Sequence, residues 1–309
     1  MKNKTIAYFL IIAAIFTLSF TRRFSPGGLN RMVDDGVQKI LELNLNDNPL
    51  TRGLSIYTFD VFDDTLYTAN RGNFLKISLK SGKVSKNLKI SNLLKEKFKS
   101  HIAADNIRVR IDGYYLSCLN ELYFINRLGT VKKISSNDGY MINDFNIIDD
   151  KIIIASRGNK IKLISKNGDP ISTLSFDMAD DGHIPSYKGL CYDNVDNIYE
   201  FDVNKNNETV TKKYAGFSLI KEIKDPTVAF NSDKYFIGFS YRQRKNLYIF
   251  SKGSAQNQLI KKIALPQSYF DKQATPDEGQ PDFRVSNNNG TNYLVLIYKR
   301  KLEVFRFNL

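Results

Sequence analysis

The chain has 309 residues, 42% of them hydrophobic, and a formal net charge of +13, so it can bury one large core or two smaller ones. Its two cysteines, Cys118 and Cys191, cannot form a disulfide framework and are expected to be buried free thiols. Neither His101 nor His183 has a ligand-spaced partner, so a zinc site or a Ser-His-Asp triad has no support.

The first 23 residues are predicted to be an export segment. Lys2 and Lys4 precede the uninterrupted apolar run Ile6–Phe20, and Arg22-Arg23 follow it. This is the pattern of a secretory signal, although the run is short for a membrane span. A cleaved signal peptide and an uncleaved inner-membrane anchor both remain open. The predicted organisation is an export segment over 1–23, a Pro/Gly-containing linker over 24–36 and a β-propeller domain over 37–309.

One stretch of sequence occurs twice. Asp63–Gly82 returns as Asp149–Gly168, 86 residues later and without a gap. Each copy has an Asp-Asp turn, a short apolar strand, an Arg-Gly-Asn connection, an alternating strand and a glycine turn. This is a β-meander, and its repetition indicates an array of such units.

Strands and turns of this kind continue along the chain. Between the first two units, Ser91–Ala104 is predicted to be a helix capped by its serine. In the fourth unit Lys188–Asp193 is the predicted first strand. The turns that open the second strand of each unit are expected near Asp64, Asp112, Asp150, Asp196, Asp233 and Gly290. Their mean spacing of about 45 residues is that of a four-stranded propeller blade.

Six such units predict an all-β fold, a six-bladed β-propeller of four-stranded antiparallel blades. The last unit offers only three strands, whereas Val37–Leu45 reads as a strand without a unit of its own. We therefore expect this N-terminal strand to complete the last blade and close the ring, which leaves no free sheet edge.

The repeat layout, export segment and composition resemble the exported six-bladed, NHL-like β-propellers of Bacteroidetes-type bacteria. The resemblance covers about residues 37–309 and rests on the repeat pattern. It implies a binding or scaffolding role. The sequence departs from many such proteins because it lacks a lipoprotein cysteine, and it has no tryptophan for the motifs of WD-type or quinoprotein propellers.

Basic residues recur at equivalent positions of the predicted blades. The candidate anion-binding residues are Arg71, Arg157, Arg242 and Arg300 in second-to-third-strand connections, with Arg108, Lys188 and Arg284 on first strands or leading into them. Both groups are expected at one end of the ring. Arginine suits bidentate recognition of carboxylate, sulfate or phosphate, whereas loop arginines in general are often only solvated.

These features favour an exported or membrane-anchored, non-enzymatic binding or scaffold module that presents a basic face to an anionic ligand or partner protein. The alternative is a periplasmic or surface enzyme acting on a glycan or ester at the channel mouth, although no paired carboxylates are placed for it. We expect no cofactor, no metal and no nucleic-acid partner, since the chain lacks a nucleic-acid module. The expected location is periplasmic or at the cell surface.

Overall fold

Twenty-four strands and one helix make up the part of the chain that the computed structural model describes. That part comprises residues 37–52, 56, 58–70, 73–97, 104–136, 139–156, 160–176, 183–185, 189–193, 197–215, 226–240, 246–252, 257–264, 282–288, 291–298 and 300–308. Within it, no helix has the length and apolar character needed to cross a membrane. The predicted export segment lies outside the described residues.

The strands form six four-stranded antiparallel sheets, numbered here by their first strands in chain order. Sheet 1 contains β2 (Phe59–Phe62), β3 (Thr65–Asn70), β4 (Asn73–Ser78) and β5 (Val84–Lys86). Sheet 2 contains β6 (Asn106–Arg110), β7 (Gly113–Cys118), β8 (Glu121–Asn126) and β9 (Val131–Ser136). Sheet 3 contains β10 (Ile142–Ile148), β11 (Lys151–Ser156), β12 (Lys160–Ser165) and β13 (Pro170–Ser175).

The second half of the chain repeats this arrangement. Sheet 4 contains β14 (His183–Pro185), β15 (Leu190–Asp193), β16 (Asn197–Val203) and β17 (Thr209–Ala215). Sheet 5 contains β18 (Pro226–Asn231), β19 (Tyr235–Ser240), β20 (Asn246–Ser251) and β21 (Gln258–Ala264). Sheet 6 contains β22 (Asp282–Asn288), β23 (Thr291–Tyr298), β24 (Lys301–Phe307) and, beside β24, β1 (Val37–Asn44). The helix α1 (Leu88–Lys97) connects sheets 1 and 2.

The Asp-Asp turns of the repeat are confirmed. Asp63, Asp64 and Asp149 have φ angles of 46°, 51° and 52°, the left-handed conformation that a two-residue connection between antiparallel strands requires. The predicted glycine turns are also confirmed. Gly168 has a φ of 103°, and a Cβ there would lie 2.0 Å from the carbonyl oxygen of Ile134, so this position requires glycine. The Arg-Gly pairs of the two copies lie outside the described residues.

The hydrophobic core of the described residues is divided into six clusters, and each cluster joins two neighbouring sheets. Phe74 of sheet 1 packs with Tyr114 of sheet 2, with ring centroids 4.7 Å apart. Val295 of sheet 6 shares a cluster with Ile77 of sheet 1. Each sheet therefore buries both of its faces, which explains why its middle strands are apolar at successive positions.

The first strand of each sheet contacts the first strands of the two neighbouring sheets. β2 contacts β6, β6 contacts β10, and the series continues through β14, β18 and β22, which in turn contacts β2. At the outside of sheet 6, β1 pairs with β24 from Val37 opposite Phe307 to Asn44 opposite Lys301. The ion pair between Lys39 and Glu303, at 2.6 Å, reinforces this ladder.

Polar clusters of one tyrosine, one acid and one lysine cross three of the boundaries between sheets. They are Tyr293–Asp64–Lys80 between sheets 6 and 1, Tyr115–Asp112–Lys166 between sheets 2 and 3, and Tyr214–Glu200–Lys252 between sheets 4 and 5. In each, the acid accepts a hydrogen bond from the tyrosine hydroxyl and pairs with the lysine. The three lysines are spaced by 86 residues, the period of the sequence repeat.

Two predicted elements were wrong in detail. The helix begins at Leu88, and its cap is Asn87, whose side-chain oxygen accepts a hydrogen bond from the Ile90 amide at 3.1 Å. Ser91 lies inside the helix, where its hydroxyl accepts a bond from the Phe74 amide. In sheet 4, Leu190–Asp193 is the second strand because the short β14 precedes it.

The turn expected near Asp196 is accordingly a second-to-third-strand connection, whereas the other five predicted turns open second strands as expected. The expectation for the cysteines is confirmed: Cys118 and Cys191 are buried free thiols. Burial raises the pKa of the Cys118 thiol to about 11, so this thiol stays protonated near neutral pH.

Removing β1 is expected to destabilise the whole domain. A chain that starts at Asn46 loses the ladder to β24 and the buried Leu45, whereas a chain that starts at Asp35 keeps both. Loss of one buried leucine alone costs about 2–5 kcal/mol, and 1 kcal/mol shifts Tm by about 2–4 °C in a domain of this size. We expect the shorter chain to melt at least about 5 °C lower in calorimetry. Equal Tm values would contradict the role given to β1.

The cluster between sheets 6 and 1 is expected to make stability sensitive to alkaline pH. Burial and the hydrogen bond to Asp64 raise the pKa of Tyr293 to about 12. Because the folded-state pKa is raised, this stabilisation is complete below about pH 10, the usual tyrosine pKa. It is lost as pH rises toward 12.

Tyr293→Phe should therefore lower the free energy of unfolding by about 1 kcal/mol at neutral pH, since Asp64 is partly exposed. It should also flatten the alkaline decline. Urea unfolding across the pH range measures both effects. An alkaline decline of the same size in the variant would assign the pH dependence to other groups.

Candidate binding site

The structure describes only some of the predicted anion-binding residues. Arg71, Arg157, Lys188 and Arg242 lie outside the described residues, and for Arg284 on β22 only the backbone is described. The strand bounds nevertheless locate them along the chain. The connections β3–β4, β11–β12, β19–β20 and β23–β24 contain Arg71, Arg157, Arg242 and Arg300 respectively. Lys188 lies between β14 and β15, and so not on a first strand.

Arg108 lies on the first strand of sheet 2, as predicted, but it is 3% exposed. Its guanidinium pairs with Asp144 on the first strand of sheet 3, at 2.5 Å, and donates to its own strand at the Ile107 carbonyl. The guanidinium also lies 5.4 Å from the centre of the Phe145 ring. The charge of Arg108 is therefore balanced inside the protein, and this pair connects two sheets.

Among the first-strand side chains that the structure describes, Arg110 is the accessible cation. It lies between two neighbours: its Nη1 is 3.6 Å from an oxygen of Asp60 in sheet 1, and its Nη2 donates to Asn146 in sheet 3 at 2.9 Å. Burial lowers the pKa of its guanidinium from the ordinary value, and the charge of Asp60 opposes this shift. About a third of its side chain, 32%, remains accessible. Arg110 therefore lies in an enclosed position that solvent still reaches.

Contacts between the first strands of sheets 2 and 3 show that β6 and β10 run parallel to one another. Asn106, Arg108 and Arg110 of β6 contact Asn143, Asp144 and Asn146 of β10 in ascending order. Asn146 continues the network by donating to the Gly189 carbonyl of sheet 4 at 3.1 Å. The acids Asp60 and Asp144 were missed by the sequence analysis, and the alternation of polar residues along these strands is the signal that points to them.

Each sheet has two edges at which its strands are connected. The upper edge is where second strands pass to third strands, and the lower edge is where first strands pass to second strands and third to fourth. The contact of Tyr293 with Asp64 joins sheets 6 and 1 at their lower edges. The guanidinium of Arg127, in the β8–β9 turn, lies 5.6 Å from the ring of Phe62 and joins sheets 2 and 1 at the same edge.

Arg300 is the one residue of the predicted loop arginines whose side chain is described. It is exposed, with a φ of 64°, and its Nη1 donates to the Asn46 side chain at 3.1 Å. Its carbonyl accepts the Leu45 amide at 2.7 Å. A side chain in the left-handed region is uncommon outside glycine, asparagine and aspartate. The turn thus holds an arginine at the upper edge in a conformation that favours smaller residues.

Metal-binding groups are not assembled in the described part of the chain, where no cluster of three or more His, Cys, Asp or Glu is found. The acids close to the candidate site make contacts within the protein instead. Asp60 accepts the Val109 amide at 2.7 Å, and Asp144 accepts the Phe145 amide at the same distance.

The Arg108–Asp144 pair gives a double-mutant test of its structural role. Asp144→Leu leaves a buried guanidinium without its acid, which should cost about 3–5 kcal/mol. The double variant Arg108→Met, Asp144→Leu removes both charges and should be more stable than Asp144→Leu alone. Urea unfolding of both single variants and the double variant measures the coupling. Strictly additive costs would contradict the pairing.

No protein-family model matches the chain, and no curated protein matches it. Among solved structures, it is similar to the β-propeller domain of Cps50 (Swd1) from Myceliophteria thermophila, with a TM-score of 0.52, 11% identity, and coverage of 82% of this chain and 84% of that chain. It is also similar to the N-terminal domain of Nup159, with a TM-score of 0.50, 11% identity, and coverage of 88% and 96%.

A third structure, PorZ, is an essential bacterial surface component of the type-IX secretion system of Porphyromonas gingivalis. It matches with a TM-score of 0.46 and 13% identity, over 81% of this chain and 30% of that chain, and it adds nothing to the fold assignment. From the first two similarities and its four-stranded antiparallel sheets, this chain has a β-propeller fold.

Proposed function

We propose that this chain is an exported β-propeller that works as a non-enzymatic binding or scaffold module, with a basic face for an anionic ligand or partner protein. The observation that carries the proposal is the recurrence of arginine at the upper edge. Four of the second-to-third-strand connections hold one: Arg71, Arg157, Arg242 and Arg300.

The finer architecture in this proposal is a six-bladed ring closed by the N-terminal strand. Three observations support it. The described strands form six sheets, their first strands contact one another in cyclic order, and β1 is the outer strand of the sheet that ends with β24. A closed ring presents its second-to-third-strand connections on one face, so the four arginines share it.

The chemistry of that face favours anions. The guanidinium presents parallel donors that match carboxylate, sulfate and phosphate groups. Cations grouped on short loops also repel one another, and an acidic partner relieves that repulsion. Arg300 supports this reading because its turn keeps an exposed cation where the backbone favours a smaller residue.

The channel contributes less positive charge than its sequence suggests. Arg108 is neutralised by Asp144, and Arg110 lies beside Asp60. The proposed ligand surface therefore consists of the loop arginines, whereas Arg110 ends β6 at the opposite, lower edge. A ligand that spans several loops fits this arrangement better than a small molecule deep in the channel.

The export proposal rests on the sequence of the first 23 residues, with 24–36 as a linker and 37–309 as the propeller domain. Whether the segment is cleaved or remains as an inner-membrane anchor, it delivers the propeller to the periplasm or cell surface. Protease accessibility in fractionated cells tests this, and a domain protected in the cytoplasm would end the proposal.

Charge reversal tests the basic face. The triple variant Arg71→Glu, Arg157→Glu, Arg300→Glu should lower affinity for heparin, used as an anionic probe, by at least about tenfold. Binding by the unmodified protein should weaken steeply with salt. The matched control reverses three exposed lysines at lower-edge turns, Lys83, Lys205 and Lys234, with the same change in net charge.

The control separates a specific face from general charge. Titration calorimetry of both triple variants, with circular dichroism to check folding, gives the comparison. The control should keep most of the affinity. Equal losses in the two variants would show that only net charge attracts the probe, and no loss in either would leave the arginine face as solvated surface.

A further inference from the structure

Three large aliphatic side chains point into solvent: two lie in lower-edge turns of sheet 2, and one lies in the helix whose Lys89 contacts the second of these turns. Leu88 at the start of α1 is 65% exposed, Ile111 in the β6–β7 turn is 84% exposed, and Leu128 in the β8–β9 turn is 76% exposed. These are the most exposed large hydrophobic residues of the described chain. All three belong to sheet 2 or to the helix that leads into it, and we call them the tip patch.

Two cations hold the tip patch together. Arg127 donates through Nε to the Ile111 carbonyl at 3.3 Å and through Nη2 to the Arg110 carbonyl, so it joins the two turns of sheet 2. Lys89 donates to the Leu128 carbonyl and so joins α1 to the second of these turns. The guanidinium of Arg127 is stacked 4.6 Å from the centre of the Tyr114 ring. The apolar tips are therefore presented on a fixed backbone.

Cations surround the patch on sheets 1 and 2, whereas the exposed Asp149, Asp150 and Asp169 belong to the lower edge of the neighbouring sheet 3. Besides Arg127 and Lys89, the exposed Lys83 and Lys132 belong to the same edge of sheets 1 and 2. The acids of two nearby turns are already paired within the protein, Asp64 with Lys80 and Asp112 with Lys166. Asp63 is the exposed acid of the adjacent turn. Aliphatic tips among cations are the composition of a surface that enters the headgroup region of a membrane.

The path of the chain leads to the same edge. β1 starts at Val37, opposite Phe307 at the end of β24, and this is the lower edge of sheet 6. The Tyr293–Asp64 and Arg127–Phe62 contacts make it the lower edge of sheets 1 and 2 as well. The apolar run Ile6–Phe20 is thus joined to the propeller on the side of the tip patch. The 16 residues between Phe20 and Val37 reach at most about 55 Å.

We propose that the tip patch docks on the surface of an anionic lipid bilayer. Leu88, Ile111 and Leu128 enter the boundary between headgroups and acyl chains, and the surrounding cations pair with anionic headgroups. The upper edge, with its arginines, then faces away from the membrane and stays open to a partner. This docking does not depend on what the arginine face binds, so the two proposals fail independently.

A paired-label experiment on the full chain tests the orientation. Leu128→Cys and, as a control, Leu50→Cys are labelled with an environment-sensitive fluorophore; Leu50 lies in the β1–β2 connection, near Arg300 at the upper edge. The native thiols are buried, so labelling is directed to the introduced cysteine. The probe is a vesicle of phosphatidylcholine and phosphatidylglycerol that carries a spin-labelled lipid as quencher.

On vesicle binding, the emission maximum of the label at position 128 should shift to shorter wavelength. This label should also be quenched severalfold more than the label at position 50. Adding Ile111→Ser should lower the affinity of the protein for the vesicles by up to about tenfold. The quenching at position 128 should weaken accordingly. The matched change Ile260→Ser, at an exposed position of β21, should leave it unaltered. Quenching at position 128 should also fall on vesicles of phosphatidylcholine alone.

A label at position 128 that remains as water-exposed as the one at position 50 would overturn the proposal, and the patch would then suit a protein partner instead. Equal quenching at the two positions would also overturn it, because the propeller would have no preferred face toward the lipid. Equal quenching on zwitterionic and anionic vesicles would overturn the part assigned to the cations.

Discussion

Each sheet buries its two faces against two different neighbours, and the rest of the structure depends on this packing. Ile152 and Ile154 of β11 belong to the core between sheets 2 and 3, whereas Ile153 and Ala155 belong to the core between sheets 3 and 4. A single sheet of this kind would expose both of its apolar faces to water. Stability is therefore a property of sheets in series, and the polar clusters that cross their boundaries can form only once the sheets have packed.

The polar contacts between sheets fall into two sets with different consequences. Those on the first strands, Arg108–Asp144 and Arg110–Asn146, fix how neighbouring strands are aligned near the centre. The others combine a tyrosine, an acid and a lysine, as in the pair of Lys252 with Glu200, where each side chain is only 8% exposed. Removing one partner of such a pair costs more than the pair contributes, so these positions tolerate substitution poorly.

The repeat and its turns were predictable because they depend on neighbouring residues. The Asp-Asp turns and the alternating strand Asn73–Ser78 carry their own signals in sequence. Sheet 4 was misread because its first strand has three residues, too few for a period to appear. Polar residues alternate along the first strands, but which of them pairs with Arg108 or Arg110 could not be predicted, since the partners are contributed by other sheets and depend on how neighbouring first strands align.

The pairing of β1 with β24 also affects when the domain can fold. The two strands are joined by contacts across 264 residues of sequence, so the first strand to be synthesised waits for the last before its ladder can form. Contacts of such long range slow folding, because the intervening chain must be closed into a loop first. A chain made in this way stays incompletely folded until β24 has been synthesised.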